Sequence, residues 1–228
     1  LNAGGNSLTI QNTTVSSTSG TSTIHLQGDA TFNTFINLNV NGAGTMAVGT
    51  NGGNFWFGAS SLTTGQDNNL ISNCKIGPVG TSYPTKGVYS NGTTTTAGQY
   101  NSKNTVTNCE IYDYFGTAAQ SAGIYITSGS TEWTITNNKF YQTVSKTQTT
   151  GSIHAAIQIG STNVDGCVIT GNTIGFANAA GTGMYQWVGV STSSRMVGIY
   201  LSSHGSTQKT IISNNSIQNI SLSGTLGS

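Results

Sequence analysis

The sequence predicts an all-β chain built as a solenoid, and three observations carry that prediction. A short stretch centred on asparagine recurs along the chain, a second kind of stretch alternates apolar with other residues, and no segment of suitable length shows helical periodicity. Charged residues make up only 6% of the 228 residues, against about 25% in ordinary globular domains. These observations indicate stacked coils of short strands with an uncharged surface.

The asparagine-centred stretch follows one template. An apolar residue comes first, asparagine stands two positions later, and another apolar residue comes three positions after the asparagine. The template fits IQNTTV from Ile10, FINLNV from Phe35, ISNCKI from Ile71, VTNCEI from Val106, ITNNKF from Ile135, ITGNTI from Ile169 and ISNNSI from Ile212, with Gly171 in place of asparagine as the one exception. The spacing between copies varies, so the pattern predicts a fixed unit with connections of different lengths.

The second kind of stretch lies between the copies of the first. Its members are TIHL at 23–26, NFWF at 54–57, GVYS at 87–90, GIYI at 123–126, AIQI at 156–159 and GIYL at 198–201. They have the two-residue period of a β-strand. One of them precedes each asparagine stretch from the second copy onward. Each unit is therefore predicted to contain a strand, a variable loop, a second strand with an asparagine turn, and a short third strand.

This rhythm resembles the right-handed parallel β-helix repeat family, which includes pectate lyases, other polysaccharide-active enzymes, phage tailspikes and bacterial surface proteins. The resemblance covers nearly all of residues 8–222. It implies a single-stranded right-handed parallel β-helix (a solenoid) of about seven coils. It also implies that asparagines stack as a ladder at the turn between the second and third strands.

Asparagine suits that turn because it tolerates a left-handed backbone and its amide both donates and accepts hydrogen bonds. At the equivalent position, Gly171 supplies the backbone freedom without the side chain. The expected ladder residues are Asn12, Asn37, Asn73, Asn108, Asn137 and Asn214.

Residues 1–228 are predicted to form one elongated domain, since no change in composition marks a linker. The chain opens with LNAGGNSL rather than with methionine, so we expect a segment of a longer polypeptide. Solenoid ends expose strand edges and apolar core, so neighbouring segments or end-to-end self-association should cover them. No apolar run is long enough to span a membrane. A net charge of +1 with dispersed lysines argues against nucleic acid.

Charged and sulfur-containing side chains also recur at fixed places. Lys75, Glu110 and Lys139 stand two residues after successive central asparagines, which predicts a small exposed row of ion pairs. Cys74 and Cys109 occupy the same place in adjacent units, within range of a disulfide. Their side chains are expected to point the same way, so free thiols are the favoured interpretation. No cysteine and histidine spacing suggests a metal site, and we expect no cofactor.

One outward-facing column is the candidate contact surface. If the apolar neighbours in the second kind of stretch point inward, the outward residues are His25, Trp56, Tyr89, Tyr125, Gln158 and Tyr200. In the enzymes of the family, the corresponding face usually forms the substrate groove. Such rings suit the faces of sugars and also protein partners. A third interpretation is that they pack beneath the long loop at 175–196, with Tyr185 and Trp187 lying across them. The sequence leaves these three interpretations open.

Catalytic groups are few. Glycoside hydrolysis needs two carboxylates about 5–10 Å apart, yet the chain has six acidic residues and none falls in the outward column. A lyase like those of the family would need a calcium nest of acids and a basic residue. His25, His154 and His204 are scattered over different units, without a nucleophile or metalloprotease motif. The sequence therefore predicts no catalytic residue and no metal ligand.

These observations favour a non-catalytic extracellular module, either structural or adhesive, of a surface or fibre protein. Its outward aromatic column would contact a polysaccharide or another protein. Two alternatives stay open. The first is a domain like a polysaccharide lyase or glycoside hydrolase, and the second is a filament subunit that stacks through uncapped ends.

Overall fold

The computed structural model describes residues 1–47, 49–161, 163–202 and 207–225. These residues form an all-β structure with short 3-10 turns at Gly4–Asn6 and Ala97–Gln99. The first strands are β1 (Leu8–Asn12), β2 (Thr21–Leu26), β3 (Thr34–Ile36), β4 (Leu38–Gly42), β5 (Gly52–Phe57), β6 (Leu70–Ser72), β7 (Lys75–Pro78), β8 (Lys86–Ser90), β9 (Asn101–Ser102), β10 (Thr105–Thr107), β11 (Glu110–Tyr112) and β12 (Ser121–Ile126). The later strands are β13 (Ser130–Thr131), β14 (Thr134–Thr136), β15 (Lys139–Tyr141), β16 (Lys146–Gln148), β17 (Ile153–Ile159), β18 (Val168–Thr170), β19 (Thr173–Gly175), β20 (Tyr185–Val190), β21 (Arg195–Leu201), β22 (Ile211–Ser213), β23 (Ser216–Gln218) and β24 (Ile220–Thr225).

Three long sheets, all parallel, contain most of these strands. Sheet A has the order β2-β5-β8-β12-β17-β21, sheet B the order β3-β6-β10-β14-β18-β22, and sheet C the order β1-β4-β7-β11-β15-β19-β23. A smaller parallel sheet, sheet D, consists of β16-β20-β24, and β9 pairs with β13. The chain visits the long sheets in one cyclic order, A then B then C, and each strand pairs with its counterpart from the next cycle. The all-β class and the parallel sheets agree with the sequence analysis.

Apolar residues stack in register on the inner face of each long sheet. The column of sheet A is Ile24, Phe55, Val88, Ile124, Ile157 and Ile199. That of sheet B is Phe35, Ile71, Val106, Ile135, Ile169 and Ile212. That of sheet C is Ile10, Val40, Ile76, Ile111, Phe140, Ile174 and Ile217. Away from the two ends these residues are buried, and each side chain contributes about 1.5–3 kcal/mol of hydrophobic stabilisation.

Residues with a left-handed backbone turn the chain from sheet B into sheet C. These residues are Asn37, Asn73, Asn108, Asn137, Gly171 and Asn214, with φ angles between 52° and 68°. Asparagine and glycine adopt this conformation at low cost, which explains why they recur at this position. From Asn73 onward, the residue after each of these turn residues points inward. A strand of sheet C begins at the residue after that.

The first asparagine stretch does not fit the register that its sequence suggests. Ile10 pairs with Val40, and Asn12 pairs with Gly42 inside sheet C, so Asn12 is not equivalent to the turn asparagines. Val15, the predicted second apolar position, is exposed. The match was wrong because an Asn- and Thr-rich segment reproduced the template five residues out of register. By the observed register, Ser7 occupies the position equivalent to Asn37.

Two rows of hydrogen-bonded asparagine amides lie beside the turns, and their members are buried except for Asn33, which is exposed, and Asn215, which is partly buried. The recurring template did not predict these rows. Beside sheet C, Asn138, Asn172 and Asn215 form one row, in which each Oδ1 accepts a bond from the preceding member's Nδ2 at 2.9–3.0 Å. Before sheet B, Asn33, Asn69 and Asn104 form the other row, with corresponding bonds of 2.9 and 3.0 Å. Both rows satisfy backbone groups that would otherwise be buried without partners.

Candidate functional site

A straight row of six residues runs along the outer face of sheet A, with one residue from each strand. The strand register pairs each member with the next. Its members are His25, Trp56, Tyr89, Tyr125, Gln158 and Tyr200, and we call it the aromatic row. The register thus brings together the six residues that the alternation of the sequence selects.

Four members of the aromatic row reach the surface. Trp56, Tyr125 and Tyr200 are partly exposed, and His25 is exposed. The His25 ring lies flat on Trp56, with 3.6 Å between the ring centroids and 8° between the planes. Partial burial lowers the pKa of His25, which favours the neutral imidazole in this stack. The stack offers a flat, largely apolar face.

Tyr89 is the covered member, only 1% exposed. The Nζ atom of Lys86 lies over its ring, 4.1 Å from the centroid. That ammonium donates hydrogen bonds to the carbonyl oxygens of Ala47, at 3.1 Å, and of Thr50. Burial lowers the pKa of Lys86 to about 7 and raises the pKa of Tyr89. Lys86 therefore lies over the Tyr89 ring while its ammonium is held by the carbonyl groups of Ala47 and Thr50.

Gln158 is also covered, with 4% of its surface exposed. Its Oε1 accepts a hydrogen bond of 2.5 Å from Nε2 of Gln120. The aromatic row therefore presents rings at alternate positions, Trp56, Tyr125 and Tyr200, with covered residues between them. A continuous outward column of rings, as the sequence suggests, is reduced to three partly exposed rings and one imidazole.

Tyr185 and Trp187 do not lie across the aromatic row. Both belong to β20 of sheet D, both are fully buried, and they pack with Phe115. The Trp187 ring is also stacked with His154 at a centroid distance of 6.3 Å. The structure thus gives these two residues a core role, and the two covered members of the aromatic row, Tyr89 and Gln158, are covered by other groups.

His154 is the centre of a buried hydrogen-bond network. Its Nδ1 lies 2.7 Å from the hydroxyl of Ser121, and its Nε2 lies 2.5 Å from the hydroxyl of Tyr185. Gln142 donates to the same Tyr185 oxygen at 3.1 Å. Burial, together with the charge of Lys146, lowers the pKa of His154 to about 3, so the ring is neutral at pH 7.

The Ser121 and His154 pair has the distance of a nucleophile and its base, but its surroundings are those of a core. Both side chains are buried. Sequence reasoning missed this pair because the residues stand 33 positions apart and meet only through the register of β12 and β17. The pair is part of a buried hydrogen-bond network that joins Ser121 through His154 to Tyr185 of sheet D. His204 lies outside the described residues.

Four of the acidic residues fasten loops. Asp29 accepts hydrogen bonds from the hydroxyls of Ser60 and Thr63, at 2.5 and 2.9 Å. Asp67 accepts from the backbone and hydroxyl of Ser102, at 2.6 and 3.0 Å. A second group of bonds joins Asp113 to the backbone and hydroxyl of Thr143, and Asp165 to the backbone N–H groups of Thr207 and Gln208. Each of these carboxylates therefore links its own connection to the connection that lies next to it in the following A–B–C cycle of strands.

The predicted row of ion pairs forms only in part. Lys75 and Glu110 lie 3.9 Å apart, and Glu110 also accepts a 2.8 Å hydrogen bond from the hydroxyl of Tyr141. Lys139 is in register with Glu110, but its Nζ donates to the carbonyl oxygen of Ala179 at 2.8 Å. The row was overestimated because the loop that carries Ala179 supplies a competing acceptor.

The cysteines are free and buried. The Sγ atom of Cys109 accepts a 3.4 Å hydrogen bond from the backbone N–H of Cys74. Burial raises the pKa of Cys109, whereas the hydrogen bond from Cys109 lowers the pKa of Cys74. Over the part of the chain that the structure describes, no three His, Cys, Asp or Glu side chains come together in a way that could hold a metal ion.

The chain matches no protein-family model, no curated protein and no solved structure. Within the described ranges, no helix has the length and apolar character that crossing a membrane requires. The assignment of function therefore depends on the geometry of the aromatic row, the buried networks and the surface.

Proposed function

We propose that residues 1–228 form one module, a single-stranded right-handed parallel β-helix of about seven coils, which serves as a rigid, non-catalytic part of an extracellular surface or fibre protein. The cyclic order of sheets A, B and C supports this architecture. In this proposal the left-handed asparagines from Asn37 to Asn214 form the outer ladder of the turns, and the buried amides beside them form an inner one.

The assignment of a non-catalytic role is supported by how the acidic side chains are used. Asp29, Asp67, Asp113 and Asp165 accept hydrogen bonds from connections in neighbouring coils. A carboxylate with such partners serves to stabilise the folded chain, whereas glycoside hydrolysis needs two carboxylates that face one substrate. A lyase or glycoside hydrolase is therefore the less supported alternative.

We further propose that the module contacts carbohydrate through the aromatic row. The observation that carries this proposal is the row's three partly exposed rings, Trp56, Tyr125 and Tyr200, at alternate positions of one straight register line. Successive strands lie about 4.8 Å apart, so these rings are spaced by about 10 Å. That spacing suits alternate residues of an extended neutral glycan that runs along the stack.

A glycan array tests this proposal. Trp56→Ala should lower the binding of any glycan that the parent chain binds by tenfold or more, because the largest flat face of the row is lost. The matched control is Phe32→Ala, which removes an aromatic ring that is 76% exposed but lies outside the row.

Equal loss of binding in both variants would contradict a specific role for the row, as would a folded parent chain that binds no glycan on the array. Mass spectrometry of each bound glycan after incubation addresses the enzyme alternative. Shortened products would favour a lyase or hydrolase over the non-catalytic module.

A second candidate function is supported by the two ends of the stack. Ile212 and Ile217 are 43% and 52% exposed, although their counterparts in the preceding coil, Ile169 and Ile174, are fully buried. Their sheets end there in strands β22 and β23. We propose that a second copy of the chain covers this surface and that repeated stacking would build a filament.

A further inference from the structure

A cavity of about 420 Å³ lies among the connections that lead from sheet C to sheet A. Two aromatic residues, Tyr83 and Phe115, contribute to its wall. Hydroxyl side chains of Thr45, Thr81, Ser82 and Thr117 line it as well. It is separate from the aromatic row, since the two share no residue.

The walls of this cavity are fixed by hydrogen bonds. The backbone N–H of Phe115 donates to the carbonyl of Pro84 at 2.8 Å, which joins two of the connections. The backbone N–H and the hydroxyl of Thr149 donate to the carbonyl of Thr117, at 2.7 and 3.0 Å. A site held in this way needs little reorganisation when a ligand enters.

Tyr83 is also held by a buried cation. The Nζ atom of Lys146 lies 3.0 Å from the centroid of its ring, and the Lys146 side chain is only 3% exposed. This ammonium forms an ion pair with Asp113 at 3.6 Å, and no hydrogen-bond acceptor meets it among the described residues. The attraction between the cation and the ring fixes the orientation of Tyr83.

The lining has hydroxyl groups but no charge. Every side chain that lines the cavity is neutral. Thr45, Thr81 and Thr117 are exposed and Ser82 is partly exposed, so these hydroxyls are accessible to a ligand. A carboxylate or phosphate ligand would find no cation on the lining to offset its lost hydration. A ligand rich in hydroxyl groups would find hydroxyl partners and aromatic faces.

We propose that this cavity binds a neutral sugar residue, such as the end of a glycan. The volume is in the range of small-ligand sites. The accessible hydroxyls would fix the orientation of the sugar, and the rings of Tyr83 and Phe115 would contact its apolar face. This inference goes beyond the contact through the aromatic row and does not depend on it.

Amide chemical shifts of the ¹⁵N-labelled chain, titrated with single methyl glycosides, test the proposal. The neutral probes are the glycosides of glucose, galactose, mannose and N-acetylglucosamine, and the charged probe is galacturonate. We expect at least one neutral glycoside to cause saturable shifts confined to the cavity lining, at Val15, Thr45, 81–85 and 115–119. Galacturonate should bind at least tenfold more weakly.

Two variants and two controls complete the design. Ala118→Trp, at an exposed position on the lining, should abolish the shifts by filling the cavity, and Thr81→Val should weaken binding several-fold. Thr147→Val, on the exposed face of β16, is the matched control and should leave binding unchanged, as should Trp56→Ala. The proposal is overturned if no neutral glycoside binds a folded sample, if galacturonate binds equally well, or if Ala118→Trp has no effect.

Discussion

At the scale of single residues, adjacent asparagines have different tasks. In the NN pair of ITNNKF, Asn137 is exposed with a φ angle of 56°, whereas Asn138 is buried. The first residue makes the turn, and the second supplies hydrogen bonds inside it. Cys74 and Cys109 occupy the inner position in earlier coils, where a thiol replaces the amide.

The row of Asn138, Asn172 and Asn215, together with Cys109 at the equivalent position, is called the inner row. Its central amide, Asn172, makes the most side-chain hydrogen bonds in the row. Its Oδ1 accepts from the backbone and side-chain N–H groups of Asn138, both at 3.0 Å. Its Nδ2 donates to the carbonyl of Ile135 and to Oδ1 of Asn215, both at 2.9 Å. Asn172→Ala should therefore lower the free energy of unfolding by about 3 kcal/mol, because several buried groups lose their partners.

Urea denaturation of matched variants measures this effect. Cys109→Ala is the control in the same row, and we expect it to cost about 1 kcal/mol, because sulfur is a weak hydrogen-bond acceptor. Its bond with the N–H of Cys74 is 3.4 Å long. Similar losses in the two variants would show that the amide bonds contribute no more than the filled volume.

The outer position of each turn could be predicted from sequence, whereas the inner row was missed. Asparagine recurs at the outer position because the left-handed backbone restricts the choice there. The inner position accepts Leu38, Cys74, Cys109 or Asn138, since any small or apolar side chain fits at least part of the turn interior. A position with such varied occupants produces no recurring letter, so the template could not identify it.

At the scale of elements, sheet D encloses the network around His154. Tyr185 and Trp187 of β20 face His154, and Tyr114 and Phe115 pack against it from the connection after β11. The charged groups nearby are Lys146 of β16 and its ion-pair partner Asp113. The hydroxyls that face the imidazole are neutral at pH 7, because burial raises the pKa of Tyr114 and of Tyr185.

The depressed pKa of His154 predicts acid destabilisation. The ordinary value is 6.5, and burial in the fold lowers it to about 3. Below pH 6.5 the unfolded chain binds a proton that the folded chain excludes, so stability is full above pH 6.5 and falls as the pH drops towards 3. One such proton costs about 1.4 kcal/mol per pH unit over this range.

Urea midpoints at pH 7, 6, 5 and 4 measure this loss in the parent chain and in His154→Gln. The variant is expected to be less stable at pH 7 but to have a shallower decline towards acid, because the titrating ring is gone. The comparison of slopes removes the contribution of carboxylates that both chains share. Parallel pH profiles for the two chains would mean that His154 is not the source of the acid sensitivity.

The strands of sheets A, B and C could be predicted from sequence, but sheet D could not. Ile157 and Gln158 follow the apolar-polar alternation of the sequence, and they lie in β17, although both are buried there. In β16, Lys146, Thr147 and Gln148 are polar, yet Lys146 and Gln148 are buried. That strand exists because loops of successive coils lie side by side, a tertiary effect that no local pattern carries.

The aromatic row shows the same limit in the candidate site. Its register follows from the two-residue period, and the structure places all six residues on one line. Tyr89 is covered by Lys86, which the carbonyls of Ala47 and Thr50 hold in place, and Gln158 is bonded to Gln120. Alternation predicts the face on which a side chain lies, but not what a distant loop lays over it.

At the scale of the whole molecule, the three apolar columns are continuous through the stack and partly or fully exposed at its ends. Ile217 ends the column of sheet C, and Ile10, partly exposed, begins it. The strands of sheet C pair in parallel, and β1 and β23 are its two edge strands. The free edge of β23 can therefore pair in parallel with the free edge of β1 in a second copy. A second copy placed head to tail would continue each sheet at about the same spacing of 4.8 Å.

Such stacking is heterologous, because one end of the chain contacts the other end of its neighbour, and it leads to open filaments rather than closed dimers. Sedimentation velocity of the 228-residue chain should therefore show species that grow progressively with concentration. Ile217→Lys should shift the distribution to monomers at every concentration, because a desolvated ammonium would have to lie against the apolar column.

The matched control is Val144→Lys, which adds the same charge at a position that is 49% exposed but lies on a connection away from either end. It should leave the assembly unchanged. If the parent chain stays monomeric at all concentrations, the ends are not a self-association surface. If both lysine variants dissolve the filaments equally, net charge rather than the end of the column controls association, because a specific end-to-end contact can be sensitive only to a charge placed within it.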